Sequence, residues 1–200
     1  MGVRFKTKVN KLPEIKKNLE TLGGRSVEVG CLDGEHAWLA GIHEYGCVIT
    51  PKNARYLTVP CSPRSIGRRA GDFSDLWVLD AKSGEKFLCR DTGKHSFEIL
   101  FWLARSVRIP ERSFLRAGHD TNIQSVMADA EKMIGQIVSG SASVETLLDL
   151  VGQELSTHIK TFARDLSGPA NNPLTAEEKG SSNPLVDTGN MIEGISWRKK

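Results

Sequence analysis

Length, composition and charge set the first limits on this chain. It has 200 residues, of which 39% are hydrophobic and 26% charged, and this composition indicates a globular domain and excludes a disordered chain. The formal net charge of +3 is too small to indicate a nucleic-acid-binding protein by itself. No apolar run approaches the roughly 18 residues of a membrane span, and the amino-terminal residues have no apolar signal-peptide core. We therefore expect neither a membrane protein nor an exported one.

Hydrophobic spacing predicts the first three elements. Apolar residues recur at helical intervals from Leu12 to Leu22, and Gly23–Gly24 ends this predicted helix. The alternating run 26–32 predicts a strand. Residues 36–45 predict a short helix that ends at Gly46.

Residues 46–110 predict strands. Arg55–Val59 is a predicted short strand, and Leu76–Leu79 with Lys86–Cys89 flank turn residues, which is typical of a β-hairpin. The apolar run Phe97–Val107 fits a strand or a helix by periodicity, and its aromatic and β-branched residues favour a strand. The bond Ile109–Pro110 then marks a break, because the residue before proline avoids the helical region.

The remainder predicts helices, a loop and a final strand. A continuous apolar stripe ending at Val138 predicts one long helix, and Ser143 is the predicted N-cap of a second. Residues 167–183 are rich in Gly, Pro, Asn and Ser and predict a long mobile loop. A short strand is predicted at 195–198. The predicted fold class is α+β, with a mixed or antiparallel sheet packed by the two long helices, an inserted β-hairpin and a long C-terminal loop.

The charges are unevenly distributed. Residues 48–71 contain five basic and no acidic side chains, whereas residues 127–187 are acidic overall. The basic loop 64–69 could contact DNA phosphates through charge alone, but it lacks the interleaved aromatic residues that stack on bases. Docking on an acidic protein partner is the favoured interpretation, and direct DNA contact is the alternative.

Two chemical alternatives depend on His43 and Cys47. His43–Glu44 begins like the metalloprotease motif HExxH, but position 47 is cysteine. A zinc site would need two more ligands, for which Cys31 and Cys61 are candidates, and a cysteine nucleophile would need a thiolate beside an imidazole. Packing of both side chains is the favoured interpretation. We therefore expect no catalytic residues, no metal site and no cofactor.

Three short segments carry a family resemblance. The first is Ala37-x-x-Ala40-x-Ile42-His43-Glu44-Tyr45-Gly46, the second is Val107–Arg116 (VRIPERSFLR), and the third is Asn183–Met191 (NPLVDTGNM) followed by Ile195–Ser196. In this order, across nearly the whole chain, they resemble the neck and tail-completion proteins of long-tailed bacteriophages, also called virion-morphogenesis or head–tail joining proteins. Two features depart from the family pattern. Ser113 stands where the family usually has proline, and residues 56–95 are longer than in compact members, as an inserted hairpin would be.

The resemblance implies a non-enzymatic structural virion protein. Its place would be the head–tail connector, or neck, after a period in the host cytoplasm, and it would act in tail completion and head–tail joining. Its partners would be other neck, connector and tail proteins, on which it would form a homo-oligomeric ring without contacting a membrane. A tail terminator or a head-closure protein of the same junction is the alternative within this class. The resemblance implies one domain over residues 1–200, with 56–95 as the insertion and 167–183 as the mobile loop.

Site residues fall into two groups. The motif residues expected to have structural roles are His43, Glu44, Tyr45, Gly46, Ile109, Pro110, Phe114, Leu115, Asp187, Thr188 and Gly189. Among these, internal packing is the favoured interpretation for Tyr45, Phe114 and Leu115. The residues expected to contact partners are Arg64, Arg68, Arg69, Arg112 and Arg116.

Overall fold

Helices and short antiparallel sheets make up the protein, which is described here from a computed structural model. The structure describes residues 10–32 and 34–200, so most of the amino-terminal stretch assessed above for a signal peptide lies outside it. About 47% of the described residues are helical and about 22% are in strands. The predicted α+β class is confirmed.

The described residues form both helices and strands. The helices are α1 (Leu12–Gly23), α2 (Gly34–Tyr45), α3 (Phe114–Ser139), α4 (Val144–Asp165), α5 (Pro173–Lys179) and α6 (Asn190–Glu193). The strands are β1 (Val27–Cys31), β2 (Cys47–Ile49), β3 (Leu57–Pro60), β4 (Leu76–Asp80), β5 (Lys86–Gly93), β6 (Ser96–Ala104), β7 (Val107–Ile109) and β8 (Ile195–Lys199). The hairpin β4–β5 and the strand character of β6 were both predicted correctly.

Within residues 10–32 and 34–200 the strands form three sheets, and every pair is antiparallel. β1 pairs with β8, β2 pairs with β7, and the third sheet has the order β3-β6-β5-β4. The sequence predicted one sheet packed by the two long helices, and this part of the prediction is corrected. The physical reason is that hydrophobic alternation within one strand shows which face is buried. It does not show with which distant strand that strand pairs.

The described chain forms two compact units, whereas the sequence predicted a single domain. Unit 1 contains the residues up to Ala37 together with Phe114–Ala163 and Ile192–Lys200; unit 2 contains Trp38–Ser113 and Arg164–Met191. The long helix α3, and α4 except for its last two residues, belong to unit 1 with the sheet β1–β8, and the four-stranded sheet belongs to unit 2. The first motif segment begins next to one boundary between the units, the second contains one, and the third ends at one.

Unit 1 is built on the long helices α3 and α4. The Ser143 hydroxyl accepts a hydrogen bond from the Thr146 amide at 3.1 Å, as expected of an N-cap. Val126, Ala130 and Ile137 of α3 are buried, but the predicted apolar stripe also included Met127 and Val138, which are 46% and 40% exposed. The stripe is wider than the surface that α4 and α1 cover, so its flanks remain in solvent.

Two glycines allow close packing in unit 1. A Cβ atom at Gly118 would lie 3.3 Å from Ile159, and one at Gly152 would lie 2.3 Å from the indole ring of Trp197. Gly152 therefore lets the β8 tryptophan lie directly on α4. This contact holds the C-terminal strand, which pairs with β1, against the helices.

Unit 2 contains the four-stranded sheet and the segment after α4. Leu100, Phe101 and Ala104 of β6 are buried, and Phe73 meets Phe101 edge to face with ring centroids 5.8 Å apart. The prediction that residues 167–183 form a loop throughout is wrong, because Pro173–Lys179 form α5. The Asn172 side chain caps α5 by accepting from the Leu174 amide at 3.0 Å, and Gly180 ends it in the left-handed region.

We expect Gly152→Ala to destabilise unit 1. The added methyl group overlaps the Trp197 ring, and such overpacking costs about 1–3 kcal/mol, which exceeds the gain of about 1 kcal/mol in helix propensity. Gly135→Ala in α3 is the matched control, because no atom lies within 4 Å of its added Cβ, and we expect it to be stabilising. Urea unfolding followed by tryptophan fluorescence measures both; a stabilised Gly152→Ala variant would contradict this packing.

Candidate assembly site around Arg112

The first motif segment ends α2 and turns into β2 at Gly46. Gly46 has a φ of +69°, a left-handed conformation that glycine adopts without steric cost. A Cβ atom there would lie 2.8 Å from both the Glu111 amide nitrogen and the Ile109 carbonyl oxygen. The backbones of the first and second motif segments therefore approach each other so closely that only glycine fits.

Strand pairing extends this contact between the first two motif segments. Cys47 lies opposite Ile109 and Val48 lies opposite Arg108 in the β2–β7 pair. Pro110 follows β7 directly and removes the amide hydrogen that would continue the ladder.

The second motif segment also satisfies the end of α2. The last carbonyl groups of a helix lack partners within the helix. The Arg112 amide donates to the His43 carbonyl at 2.8 Å, and the Ser113 amide donates to the Glu44 carbonyl at 3.2 Å. Glu44 itself is 1% exposed, so these bonds lie at a buried helix end.

Ser113 adopts a backbone conformation that proline cannot adopt. Its φ of +48° is unusual for a residue with a side chain. Proline, which the family pattern usually has at this position, is restricted to φ near −65° and has no amide hydrogen to donate to Glu44. Serine can adopt this conformation and supply the bond.

The guanidinium group of Arg112 is the centre of the site. Arg112 is only 6% exposed. Its Nε donates to the Pro169 carbonyl at 3.2 Å, its Nη1 lies 2.9 Å from His43 Nδ1, and its Nη2 donates to Asn171 Oδ1 at 2.8 Å. The expectation that Arg112 contacts a partner on the protein surface is corrected by this burial.

The third motif segment joins the same group of side chains. The Asn171 amide nitrogen donates to the Pro184 carbonyl at 3.4 Å, and Lys179 Nζ lies 3.4 Å from that oxygen and 3.3 Å from the Asn183 carbonyl. We call His43, Arg112, Asn171, Lys179 and Pro184 the Arg112 cluster. It connects all three motif segments within unit 2.

The electrostatics of the Arg112 cluster keep His43 neutral. Burial is the main cause that lowers the pKa of His43 from 6.5 to about 4, and the charges of Arg112 and Lys179 lower it further. Because a guanidinium group can only donate, Nδ1 of His43 accepts and its proton lies on Nε2. Burial also lowers the pKa of Lys179; the charge of Asp187 opposes this shift, and that of Arg112 adds a smaller lowering contribution.

Of the three motif residues expected to pack internally, two are buried or half-buried and one is exposed. Phe114 is fully buried and Leu115 is half-buried, so both pack internally. Tyr45 was expected to do the same, but it is 67% exposed, because Ala40 and Glu44 form the buried side of α2.

The end of the third motif segment leads into α6. The Thr188 hydroxyl lies 3.5 Å from the Asn190 amide at the start of that helix. Asp187 beside it is exposed, and Gly189 is in the left-handed region with a φ of +84°. These residues therefore lie where the chain turns into α6.

The arginines of the basic loop 64–69 contact neighbouring residues of unit 2. Arg64 forms an ion pair with Glu98 at 3.2 Å, the Arg68 guanidinium lies 5.7 Å from the centre of the Phe73 ring, and the Arg69 amide donates to Asp72 at 2.7 Å. All three arginines are exposed. Arg116, the other exposed candidate, lies in the first turn of α3 in unit 1.

An exposed aromatic surface lies beside the Arg112 cluster and was not predicted. Trp38, Tyr45 and Val48 are 70%, 67% and 63% exposed, and Trp38 and Tyr45 share one face of α2 because they are seven residues apart. Tyr45, Val48 and Arg108 line one groove of about 250 Å³. We call Trp38, Tyr45, Val48 and Arg108 the aromatic surface; the seven-residue spacing was the signal that could have found it.

The described part of the chain contains no set of ligands for the zinc site that the sequence left as an alternative. Within residues 10–32 and 34–200, no three His, Cys, Asp or Glu side chains are grouped so that they could hold a metal ion. His43, the proposed zinc ligand, lies against Arg112 instead. Over the same residues, no helix has the length and apolar character of a membrane span.

Comparisons with known proteins found no relative. No protein-family model matches the chain, and neither the curated proteins nor the solved structures yielded a match. The resemblance therefore depends on the motif segments, and the function that it implies is a proposal.

We expect Gly46→Ala to destabilise unit 2 strongly. A side chain in the left-handed region costs about 1–2 kcal/mol, and the overlap with the backbone of residues 109–111 adds roughly 1–3 kcal/mol. Gly67→Ala is the matched control, because Gly67 has a φ of +68° but no atom within 4 Å of an added Cβ, so only the first cost applies. Urea unfolding of both variants measures the difference, and equal losses would argue against the close approach at Gly46.

We also expect stability to fall between about pH 6.5 and pH 4, because His43 becomes protonated in the unfolded chain before it does in the folded one. The folded-state pKa of about 4 lies below the usual 6.5, so the unfolded chain binds a proton in this window that the folded chain does not. Stability is fully present above the window and decreases as the pH falls through it. His43→Asn, whose amide oxygen can accept from Arg112 without titrating, should flatten this dependence.

Urea midpoints measured across the window test the role of His43. His95→Asn is the control, since His95 is exposed in the turn between β5 and β6 and should leave the dependence unchanged. An unchanged pH dependence in His43→Asn would show that other groups cause it.

Proposed function

We propose that this chain is a structural protein of the head–tail junction of a tailed bacteriophage. It acts in tail completion and head–tail joining by binding neck, connector and tail proteins, as a homo-oligomeric ring on a symmetric partner. Its place is the finished virion, after a period in the host cytoplasm. The action is assembly through protein contacts, without a chemical step.

The convergence of the three motif segments on Arg112 carries this proposal. Each segment is short, and a chance match to one of them would say nothing about the other two. In the structure, residues from all three are linked by hydrogen bonds between His43, Arg112, Asn171 and Pro184. The residues of the resemblance are therefore linked in one hydrogen-bonded group, and this supports treating the three segments together.

The aromatic surface supports assembly as the mode of action. Tryptophan, tyrosine and arginine are the residue types that contribute most to binding energy at protein interfaces. Trp38 and Tyr45 are each about two-thirds exposed, which leaves most of their area for a partner to cover. The fixed end of α2 presents them outward.

A role in contacting DNA is the alternative from another class. The exposed Arg68 and Arg69 favour it. Both are positively charged, and among the described residues no carboxylate forms an ion pair with either. Such contacts predict an affinity for DNA that falls steeply with salt. Arg64 supports this role less, since Glu98 already neutralises it.

Electron microscopy of phage lysates tests the proposal. We expect a phage that lacks this gene to give DNA-filled heads beside separate tails, and wild-type protein supplied in trans to restore joined particles. Tails of uncontrolled length would instead indicate a tail terminator, and heads that have lost their DNA a head-closure protein. Intact infectious particles without the gene would exclude a role at the junction.

A pair of matched variants tests whether the aromatic surface is needed for head–tail joining. Trp38→Asp should fail to restore joined particles, because it places a charge where the partner is apolar. Val78→Asp should restore them, since Val78 is 53% exposed on β4 and is not part of the aromatic surface. Circular dichroism of both purified variants controls for folding.

A further inference from the structure

We propose that a pocket on α4 binds an arginine side chain of a partner protein. The pocket has a volume of about 310 Å³ and is lined by Leu150, Gln153, Glu154, Thr157 and His158; we call it the Glu154 pocket. It lies in unit 1 and shares no residue with the aromatic surface or the Arg112 cluster. The inference goes beyond the proposed function and does not depend on it.

The Glu154 pocket lies on a different face of α4 from the core residues of that helix. Its lining residues recur at intervals of three and four, which places them on one face. Leu148, Leu155 and Ile159, which are buried, lie on another face. The pocket side of α4 is therefore open to a ligand, while the opposite side holds the helix in unit 1.

One carboxylate oxygen of the pocket lacks a hydrogen-bond donor. Oε2 of Glu154 is buried, and no group of the described residues donates a hydrogen bond to it. A buried polar atom without a partner costs free energy, and the cost is larger for a charged group. A donor supplied by a ligand in the pocket removes this cost.

The charges around Glu154 favour a cationic donor. Lys132 of α3 is close enough for its pKa to respond to Glu154, but its Nζ donates to Asp129 at 2.6 Å. The hydrogen bond and the charge of Asp129 raise the pKa of Lys132 most, desolvation opposes them, and the charge of Glu154 raises it less. Two carboxylates thus share one ammonium group, and a further positive charge balances them.

The other polar side chains of the pocket can accept hydrogen bonds. The Thr157 hydroxyl donates to the Gln153 carbonyl at 2.7 Å, so its oxygen still has a lone pair for a ligand. The Gln153 amide oxygen and one ring nitrogen of a neutral His158 are acceptors as well. A guanidinium group has five donors in a planar fork and no acceptor, and Leu150 offers apolar surface to its aliphatic stem.

A metal ion or a free amine fits the pocket less well than arginine. Within residues 10–32 and 34–200, no three His, Cys, Asp or Glu side chains are grouped to hold a metal ion, and the pocket has only Glu154 and His158 of these types. An ammonium group is compact and strongly hydrated, whereas a guanidinium group is more weakly hydrated and loses less on leaving water. Arginine is also enriched at the centres of protein interfaces, which selects a protein as its source.

A matched pair of peptides tests the site in the purified full-length chain. The probe is the tripeptide Gly-Arg-Gly with both ends blocked, and its control contains citrulline, which has a similar shape but no charge, in place of arginine. We expect the arginine peptide to shift the backbone NMR signals of residues 150–158. The citrulline peptide should bind at least about tenfold more weakly, because it lacks the charge-assisted hydrogen bonds.

Two carboxylate variants test whether Glu154 is the group that binds. Glu154→Gln removes the charge and keeps the size of the side chain, so it should weaken binding of the arginine peptide at least about tenfold. Glu131→Gln is the control, since it changes the net charge equally at an exposed position of α3 that does not line the pocket. It should leave the affinity unchanged. Circular dichroism of both variants controls for folding.

An arginine placed inside the pocket gives an independent measurement. His158→Arg puts a guanidinium group four residues after Glu154, which is the favourable order for an ion pair on a helix. We expect this variant to have a higher urea midpoint of unfolding and to lose binding of the arginine peptide, because Glu154 is already paired. His95→Arg, in the exposed turn between β5 and β6, is the control and should do neither.

Several results would overturn the inference. Unshifted signals at residues 150–158, equal affinities of the two peptides, or an unchanged affinity of Glu154→Gln would each do so. Zinc ions or putrescine binding there more tightly than the arginine peptide would identify a metal ion or a free polyamine as the occupant instead. The lysate experiment involves none of these measurements, so failure of the inference and failure of the proposed function are distinguishable.

Discussion

The buried guanidinium group of Arg112 constrains the rest of unit 2. An arginine does not lose its proton in a protein, so its N–H groups need acceptors wherever water is excluded. The acceptors come from far apart in the sequence: a ring nitrogen from the end of α2, and a carbonyl and an amide oxygen from the segment before α5. The positions of these segments are therefore coupled, and the neutral state of His43 is part of the same arrangement.

The Arg112 cluster also determines which side chains of α2 unit 2 exposes. Amide groups of the second motif segment satisfy the last carbonyls of α2, and Gly46 allows the chain to turn directly into β2. The inner side of α2 is held in this way, so Trp38 and Tyr45 on its outer side stay in solvent. The rigid interior and the exposed aromatic groups thus have one cause.

Much of the local structure could be predicted from the sequence. The helices α1, α3 and α4 and the hairpin β4–β5 follow from hydrophobic period and turn residues, which act over a few positions. The helix α5 was missed, because a segment of seven residues among Pro, Gly, Asn and Ser gives too short a pattern to distinguish from a loop. The division of the strands into three sheets was missed as well, since no local signal specifies the pairing partner.

The candidate site likewise has some features that the local sequence predicts and others that only the tertiary structure shows. The sequence by itself determined that the chain breaks at Ile109–Pro110, that Gly46 ends a helix and that Phe114 belongs to a core. Only the tertiary structure decided that Arg112 is buried and that Tyr45 is exposed, and only it brought Asn171 and Pro184 to the arginine. The physical reason is that turn and cap preferences depend on neighbouring residues, whereas burial and hydrogen-bond partners depend on which distant segments the fold brings together.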